Sequence, residues 1–241
     1  TYTVHYGDEY TITAAAATGY TFEEVYYVNT TTGDVGNIIA NDDGSYTLVI
    51  DGDITLGVKT KAIKYALTVE GDENVVADST ITLTAVLEPE LEGDVITWAV
   101  SDESIATIDE NGVLTGKSVG KVTVTATSAT GLTAVKEDIR VLFKDVTLDD
   151  KDSYWFEPIY WGADNGFVMG IADKDGDYTT FNPTGVTNRG AMVTFLWRMA
   201  GEPEPKATVS PFSDVKLNKD GSKPYYYDAV LWAAENGIAA G

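Results

Sequence analysis

An internal repeat in the C-terminal part of the chain constrains its fold more than any other feature. Five residues return at one constant offset: Tyr154, Trp161, Asn165, Gly166 and Gly170 correspond to Tyr225, Trp232, Asn236, Gly237 and Gly241. A Phe-x-Asp-Val tetrad stands ahead of each copy, at residues 143–146 and 212–215. Self-similarity at a fixed offset is the signature of a repeated structural unit. Residues 143–241 are therefore predicted to be built from copies of one unit.

Each copy has the pattern of a short helix with a defined end. Apolar and small residues of the second copy fall at helical spacing on one face: Tyr226, Val230, Ala233 and Gly237. Asn-Gly pairs at 165–166 and 236–237 are helix-stop signals. In the first copy the helix is expected to begin near Glu157 with Pro158 in its first turn, where proline is tolerated.

A further helix is predicted after the first copy. Met192, Val193, Leu196 and Met199 form its apolar stripe. Asn188 is its expected N-cap, and Gly201 and Pro203 follow its end. The proline-containing run 201–211 is then predicted to be an extended linker between the copies.

The residues ahead of the repeat have strand periodicity. Residues 1–63 hold short alternating runs, such as Tyr2–Tyr6, separated by Asp- and Gly-rich turns, which predicts a small β-sandwich. Residues 64–142 alternate in the same way, with Trp98 as the expected inward anchor and Asn111-Gly112 as a hairpin turn. The tyrosines of the first segment are either a sugar-stacking face or part of a thin core: Tyr20, Tyr26, Tyr27 and Tyr46.

Composition narrows the possible partners and compartments. The formal net charge of −22 repels nucleic acid and anionic lipid at long range. The chain has no cysteine, which excludes disulfides and thiolate metal sites, and no apolar run approaches a membrane span. His5 is the only histidine, so no histidine-based triad or metal cluster is expected, and it is predicted to lie at the surface. We therefore expect no nucleic acid, no membrane insertion and no histidine-based catalytic site, while a carboxylate pair of the glycosidase type stays open because Asp and Glu occur throughout the chain.

The second β segment resembles a group 2 bacterial immunoglobulin-like domain. The resemblance is carried by four stretches: Ile96-Thr-Trp98, Ser101–Asp109, Asn111–Gly116 and Gly120–Thr127. Such domains are surface stalks and adhesin modules in other proteins. The resemblance implies a spacer at residues 64–142 and carries no catalytic residues. Residues 1–63 resemble, less sharply, the β-rich spacer repeats of secreted bacterial surface proteins.

The C-terminal part resembles the S-layer homology module. The matching motifs are Phe143-x-Asp145-Val146, Trp161-Gly-Ala-x-Asn-Gly166, Gly170, Phe181-Asn-Pro183 and Asn188-Arg189-Gly190. Residues 143–200 cover one full repeat and 212–241 the front half of another. The sequence departs from the usual helix-opening motif at Asn188, in place of Thr, and at Ala191, in place of an acidic or amide residue. The resemblance implies an α-helical region that holds cell-wall polysaccharide, often through a pyruvylated sugar, together with further repeats outside these residues.

Arg189 is the leading candidate for a ligand-binding residue. It opens a predicted helix, where the macrodipole disfavours a cation and the backbone N–H groups are free. With Asn188 and Gly190 it would form an anion site in which the guanidinium binds a carboxylate bidentately. The alternative is a structural salt bridge from Arg189 to one of the many carboxylates. For the anion site, the family resemblance implies that the bound anion is an acidic sugar.

Three other features remain open between a functional and a structural role. Trp155 is a candidate for stacking on sugar, and Trp161 and Trp232 are either stacking or core residues. Asp173, Asp175 and Asp177 resemble the start of a calcium loop. Tyr178 and Thr184 stand where that loop requires Gly and a bidentate Glu, so a solvated turn with no metal is expected.

The sequence therefore predicts two all-β sandwich domains, 1–63 and 64–142, followed by an S-layer homology region at 143–241. We expect a secreted, non-catalytic protein of the bacterial cell surface. Its expected partner is a cell-wall polysaccharide or other peptidoglycan-linked polymer, with the β-domains as spacers. Two alternatives stay open: an adhesin whose β-domains bind host glycan or protein, and the accessory tail of a secreted carbohydrate-active enzyme.

Overall fold

A computed structural model describes residues 5–240 of the chain. The chain divides into two compact units. One contains the residues up to 66 together with 87–91, and the other contains 67–86 together with the residues from 92 onward.

The N-terminal unit is built from five strands: β1 (Glu9–Ile12), β2 (Tyr20–Asn29), β3 (Val35–Ile38), β4 (Tyr46–Val49) and β5 (Ile54–Ala62). β1 pairs with β4, and β3, β2 and β5 form a second antiparallel sheet in that order. Val25, Ile38 and Leu48 are the buried centre of a small core. The predicted small β-rich unit is present.

Two sequence expectations for this unit need adjustment. The strand predicted at Tyr2–Tyr6 falls mostly outside the described residues, and its described members His5 and Tyr6 are exposed and lie in no strand. The tyrosines do not form one face. Tyr27 and Tyr46 pack against the core, whereas Tyr20 is 48% exposed. The two core-facing rings therefore stabilise the sheet packing and are not free to stack on a sugar.

Nine strands follow: β6 (Ala66–Glu70), β7 (Asn74–Val76), β8 (Thr80–Thr82), β9 (Thr84–Glu88), β10 (Ile96–Val100), β11 (Ala106–Ile108), β12 (Val113–Gly116), β13 (Gly120–Ser128) and β14 (Thr133–Leu142). They form a four-stranded sheet β10-β13-β14-β7, a three-stranded sheet β11-β12-β8 and the pair β6-β9. β7 runs parallel to β14. This arrangement is an immunoglobulin-like sandwich.

Period-two burial builds the core of this sandwich, as the sequence predicts. Val122, Val124 and Ala126 are buried on alternate positions of β13. Trp98 packs against the same core from β10, the strand that pairs with β13. The predicted hairpin turn joins β11 to β12, and Gly112 has the positive φ of 77° that the turn requires.

The remaining elements are short. They are a 3-10 helix (Leu148–Asp150), α1 (Phe156–Asp164), β15 (Ile171–Ala172), β16 (Tyr178–Thr180), α2 (Arg189–Met199) and α3 (Tyr227–Glu235). Pro158 lies in the first turn of α1, as expected. The expectation of an α-helical region is only partly met, because loops and a two-stranded hairpin separate the three helices. A capping box opens the 3-10 helix: the carboxylate of Asp150 accepts the backbone N–H of Thr147, and the hydroxyl oxygen of Thr147 accepts the backbone N–H of Asp149.

A second core joins the sandwich to the first repeat copy. Phe143 is fully buried at its centre, with Phe156 and Ile159 of α1 beside it. Val76 of β7 and Val119, ahead of β13, pack against this cluster. The first tetrad therefore shares a core with the immunoglobulin-like fold, and this core positions α1.

The segment predicted as an extended linker, 201–211, is fastened to the helices. The indole Nε1 of Trp197 donates to the carbonyl oxygen of Pro203 at 2.9 Å. The carboxylate of Glu235, at the end of α3, accepts the backbone N–H groups of Lys206 and Ala207. These contacts fix the path of the chain from α2 to α3, which pack against each other.

Candidate functional site

Each repeat copy contains a nine-residue helix, and the two helices end in the same hydrogen bonds. In each copy the Asn of the Asn-Gly pair donates from both its backbone N and its side-chain Nδ2 to the carbonyl of the tryptophan one turn earlier. Asn165 contacts Trp161 in this way, and Asn236 contacts Trp232. The predicted repeat is thus present as a repeated hydrogen-bond pattern, apart from Gly241, which lies outside the described residues.

The first turn of α2 presents an exposed cation. Asn188 has extended backbone, and its Oδ1 accepts the backbone N–H of Ala191 at 2.8 Å, which confirms the predicted N-cap. Arg189 follows and is exposed. Within residues 5–240 no carboxylate lies within ion-pair distance of its guanidinium. The structure thus gives no support to the salt-bridge alternative for Arg189.

Arg189 lies on a groove between α2 and the second repeat copy. The groove has a volume of about 650 Å³. One side is formed by Thr187, Asn188, Arg189, Gly190 and Val193, and the other by Phe212, Asp214, Val215, Tyr226, Val230 and Ala239. The ring of Tyr226 lies directly over Gly190, where a Cβ atom would come within 3.1 Å of it. Gly190 therefore permits the close packing of α2 on the start of α3.

Three of the four residues predicted to bind ligand meet in this groove, and the fourth does not. Asn188, Arg189 and Gly190 line it, but Trp155 is absent from its lining. Trp155 packs instead against the cluster around Phe143, with its indole Nε1 buried and without a hydrogen-bond partner among the described residues. Its repeat counterpart, Tyr226, takes the aromatic position in the groove. The constant offset of the repeat is the sequence signal that points to Tyr226.

The two other tryptophans of the repeat lie on the helices in different environments. Trp161 is 57% exposed, so the core alternative for it is wrong. Its ring contacts Phe167 edge-on at 5.3 Å between centroids. Trp232 is half-buried on α3. Neither ring lines the groove that holds Arg189.

A second hollow, of about 520 Å³, lies on the other side of the α2 N-terminus. Thr187 and Asn188 border both hollows. Arg198 reaches the second one, but its Nη1 contacts the carbonyl of Phe167 at 3.4 Å and its Nε lies 3.7 Å from Glu202. Because this guanidinium is mostly covered and has partners, Arg189 is the better candidate for an anion ligand.

The acidic loop between β15 and β16 is a self-contained turn. Oδ1 of Asp173 accepts the backbone N–H groups of Asp175 and Asp177, at 2.9 and 3.1 Å. The N–H of Asp175 holds the pKa of Asp173 below its ordinary value. Lys174 pairs with Asp175. Across residues 5–240 no group of three or more His, Cys, Asp or Glu side chains is arranged to hold a metal ion.

Comparison with known proteins gives one family match. Residues 58–137 match the family described as bacterial Ig-like domain (group 2). This range covers most of the second β segment, on which the sequence resemblance rests. A bacterial immunoglobulin-like domain is therefore part of this chain.

Two curated relatives match over short stretches. One is a 3-O-alpha-D-galactosyl-alpha-L-arabinofuranosidase from Bifidobacterium longum subsp. longum, 32% identical over 36% of this chain and 8% of that protein. The other is an uncharacterized protein from Clostridium acetobutylicum, 38% identical over 26% of this chain and 6% of its own length. The chain thus corresponds to less than a tenth of either relative.

Three solved structures of intimin are similar at low scores. A complex with Tir90 has 20% identity and a TM-score of 0.28, covering 32% of this chain and 48% of that one. An EHEC O157:H7 mutant has 20% identity and a TM-score of 0.27, with 33% and 47% covered. A C-terminal fragment bound to the Tir intimin-binding domain has 15% identity and a TM-score of 0.29, with 55% and 57% covered.

The described helices are short. None of those within residues 5–240 has both the length and the apolar character that a membrane crossing demands.

Proposed function

We propose that residues 143–240 form a cell-wall-binding module of the S-layer homology type, which holds an anionic polysaccharide at Arg189. The observation that carries the proposal is the exposed guanidinium of Arg189, which has no carboxylate partner among the described residues and borders an open groove. The protein is proposed to be non-catalytic, secreted and bound to the bacterial cell surface. The motifs that resemble the S-layer homology module supply the class of ligand.

The groove offers two kinds of anion contact. The backbone N–H groups of Arg189 and Gly190, in the first turn of α2, have no acceptor among residues 5–240. They carry the positive end of the helix dipole, and the guanidinium adds a planar pair of donors. A carboxylate on a pyruvylated sugar matches both. Tyr226, across the groove, offers an aromatic surface for the apolar face of a sugar ring.

The net charge of the chain determines how binding of an anionic polymer should depend on salt concentration. The chain carries a formal charge of −22, so an anionic polymer is repelled at long range. At physiological ionic strength that repulsion is screened within about 8 Å. The contact at Arg189 is shorter than this length. Moderate salt should therefore leave binding intact or strengthen it.

The β-domains are proposed to be spacers. The immunoglobulin-like domain ends in β14, and the first repeat copy follows directly on the shared core around Phe143. The Arg140–Asp164 ion pair fixes α1 to that strand. These contacts hold the first repeat copy against the sandwich, as expected of a spacer that carries a binding module.

The test is sedimentation with purified bacterial cell walls over a range of salt concentrations. Wild-type protein should pellet with the walls, and Arg189→Ala should lose most of that binding. Lys216→Ala is the matched control, because it removes one exposed positive charge near the groove but not at its rim. Mild acid treatment of the walls, which removes ketal-linked pyruvate, should abolish the difference between wild type and Arg189→Ala. Equal pelleting of both proteins on untreated walls would contradict the assignment.

A second candidate function is the accessory part of a secreted carbohydrate-active enzyme. The partial match to a galactosyl-arabinofuranosidase favours it. This role predicts that the chain by itself hydrolyses no glycoside while still binding polysaccharide. A third role is that of an adhesin, which a glycan array distinguishes from the other two. If residues outside the Arg189 groove bind host glycan, Arg189→Ala will bind the array as wild type does.

A further inference from the structure

The N-terminal unit has a long strand at one edge of its three-stranded sheet. β5 (Ile54–Ala62) has nine residues and stands at the end of the order β3-β2-β5. Its backbone pairs with β2, and no other backbone group within residues 5–240 bonds to residues 55–62. Edge strands of natural sheets are usually short or covered, because their unpaired N–H and C=O groups recruit further strands. β5 therefore offers one edge on which another strand can pair.

One face of β5 leaves the core of this unit partly uncovered. Val58 is the register partner of Val25, and Leu56 stands two residues before it, so all three side chains share one face of the sheet. Val25 is fully buried, whereas Leu56 is 41% exposed and Val58 is 44% exposed. A strand placed beside β5 would cover both side chains with its own apolar residues, and this burial is favourable.

The other face of β5 carries the positive charge of the unit. Residues 1–66 contain nine Asp and Glu side chains but no arginine and only three lysines, at positions 59, 61 and 64. Lys59 and Lys61 lie on the face that does not carry Val58. Lys59 lies 3.5 Å from Glu23 and 3.3 Å from Glu24.

Lys61 is the cation that this face leaves available. It is exposed and makes no ion pair within residues 5–240. A carboxylate on an added strand can therefore pair with Lys61 without displacing another partner. Opposite charges that face each other across two strands stabilise the pairing.

We infer that the outer edge of β5 is a docking site for a partner protein, which adds one extended strand of alternating acidic and apolar residues. The apolar residues of that strand lie beside Leu56 and Val58, and two acidic residues face Lys59 and Lys61. Backbone hydrogen bonds supply the affinity, and the alternating side chains supply the selectivity. The site belongs to a different unit from the Arg189 groove and does not depend on glycan binding there.

Charge favours a foreign acidic strand over a second copy of this chain. In an antiparallel pair of β5 strands centred on Thr60, Lys59 of each copy faces Lys61 of the other, and like charges directly opposite each other are destabilising. Each copy also carries a formal charge of −22, which repels another copy at long range. A short acidic strand meets the lysines directly, while charges more than about 8 Å away are screened at physiological ionic strength.

The experiment uses the full chain and the synthetic peptide acetyl-Thr-Glu-Val-Glu-Val-Thr-Val-Thr-amide. In an antiparallel pair its glutamates face Lys61 and Lys59, and its last two valines lie beside Val58 and Leu56. A two-dimensional NMR titration should show saturable one-to-one binding, with the largest shifts at the amides of residues 55–62. A matched peptide with lysine in place of both glutamates should bind at least about fivefold more weakly.

Inverting the charge at position 61 should reverse this preference. Lys61→Glu should weaken binding of the acidic peptide about fivefold and strengthen binding of the lysine peptide. Lys219→Glu is the matched control. It makes the same change in net charge in the other unit, at an exposed lysine without an ion pair within residues 5–240, and should bind both peptides as wild type does. Both variants should unfold at the wild-type temperature, because neither lysine has an ion pair to lose.

N-methylated peptides test the backbone pairing separately. Methyl groups on alternate residues remove the N–H groups of one strand edge only, so two such peptides can be made. One should lose binding and the other should keep it. Equal behaviour of these two peptides, unchanged affinity in Lys61→Glu, or no binding to wild type would overturn the inference. A dimer of the full chain with protected β5 amides would also overturn it, because a second copy would then occupy the edge.

Discussion

The guanidinium of Arg140 donates two parallel hydrogen bonds to the carboxylate of Asp164, from Nη1 to Oδ1 and from Nη2 to Oδ2, each at 2.7 Å. Arg140 lies on β14 of the immunoglobulin-like sandwich, and Asp164 is the last residue of α1. The guanidinium also lies 5.0 Å from the ring centroid of Tyr160. This pair fastens the first repeat copy to the domain before it.

The Arg140–Asp164 pair should contribute measurably to stability. Its side chains are 19% and 25% exposed, between a surface and a buried pair. Arg140→Ala should lower the free energy of unfolding by about 1–3 kcal/mol. Lys174→Ala is the control, since Lys174 is 86% exposed and its pair with Asp175 should contribute at most about 0.5 kcal/mol. Urea unfolding followed by tryptophan fluorescence reports on this unit, because all five tryptophans lie in it.

Tyr160 joins the two ends of the first tetrad through its hydroxyl. The oxygen accepts the backbone N–H of Phe143 at 3.0 Å, and the O–H donates to the carbonyl of Val146. Both of those residues are fully buried. Tyr160→Phe should therefore cost about 1–3 kcal/mol, because two buried backbone groups lose their partner. Tyr154→Phe, at 86% exposure, should be nearly neutral in the same unfolding assay.

Burial also raises the pKa of the Tyr160 phenol well above its usual value. Alkaline difference spectroscopy should then detect no ionisation of Tyr160 before the protein unfolds. The Tyr160→Phe spectrum should match wild type up to the pH at which the protein unfolds. Normal ionisation of Tyr160 in the folded protein would contradict the buried bridge.

Gly170 is required by its surroundings as well as by its backbone. A Cβ atom there would lie 2.4 Å from the ring of Phe143 and 2.6 Å from the carbonyl oxygen of Thr180, at a φ of +85°. Gly170→Ala should destabilise the fold by roughly 3 kcal/mol or more. Gly176→Ala is matched in φ, at +92°, but meets no atom within 4 Å, so only the backbone cost of about 1 kcal/mol applies. Equal losses in thermal unfolding would show that packing on Phe143 is unimportant.

Asp109 should make stability depend on acid pH. The backbone N–H of Val113, and then that of Asn111, hold its pKa below the ordinary value of 3.8. Because the folded pKa is lower than the unfolded one, the stabilisation is complete above the unfolded pKa. It is lost as the pH falls through the folded pKa. Urea midpoints between pH 6 and pH 2 should therefore fall less steeply for Asp109→Asn than for wild type.

The neighbouring Glu110→Gln is the control for that series. Its carboxylate accepts no hydrogen bond from residues 5–240, so the variant should follow the wild-type pH profile. A profile for Asp109→Asn that is as steep as wild type would show that the turn draws no stability from the ionised carboxylate.

Local patterns in the sequence predicted much of the fold because each depends on near neighbours. The alternation of Val122, Val124 and Ala126 sets one face of a strand, whatever lies opposite it. The Asn188 cap needs only the N–H group three residues on. The copies at Trp161 and Trp232 repeat the same local hydrogen bonds. Such features were found from residue type and spacing.

The site was predicted only in part, because its two walls are far apart in the sequence. Asn188, Arg189 and Gly190 were identified as neighbours in one helix turn, and they do share the groove. Tyr226 was missed, since its place opposite Gly190 depends on how α2 packs on α3. Trp155 was assigned by its residue type, yet the core around Phe143 covers much of it.

The sequence by itself determined the repeat, the immunoglobulin-like segment and the helix that begins with Arg189, because these follow from periodicity, turn residues and caps within a few positions. Only the tertiary structure decided which residues meet the tetrad at 143–146 and which residue faces Gly190 across the groove. The carboxylate of Asp145 accepts the backbone N–H groups of Phe181 and Asn182, 36 and 37 positions further along the chain, and the ring of Tyr226 lies over Gly190. The physical reason is that a carboxylate's partners are set by the path of distant chain, which no local pattern encodes.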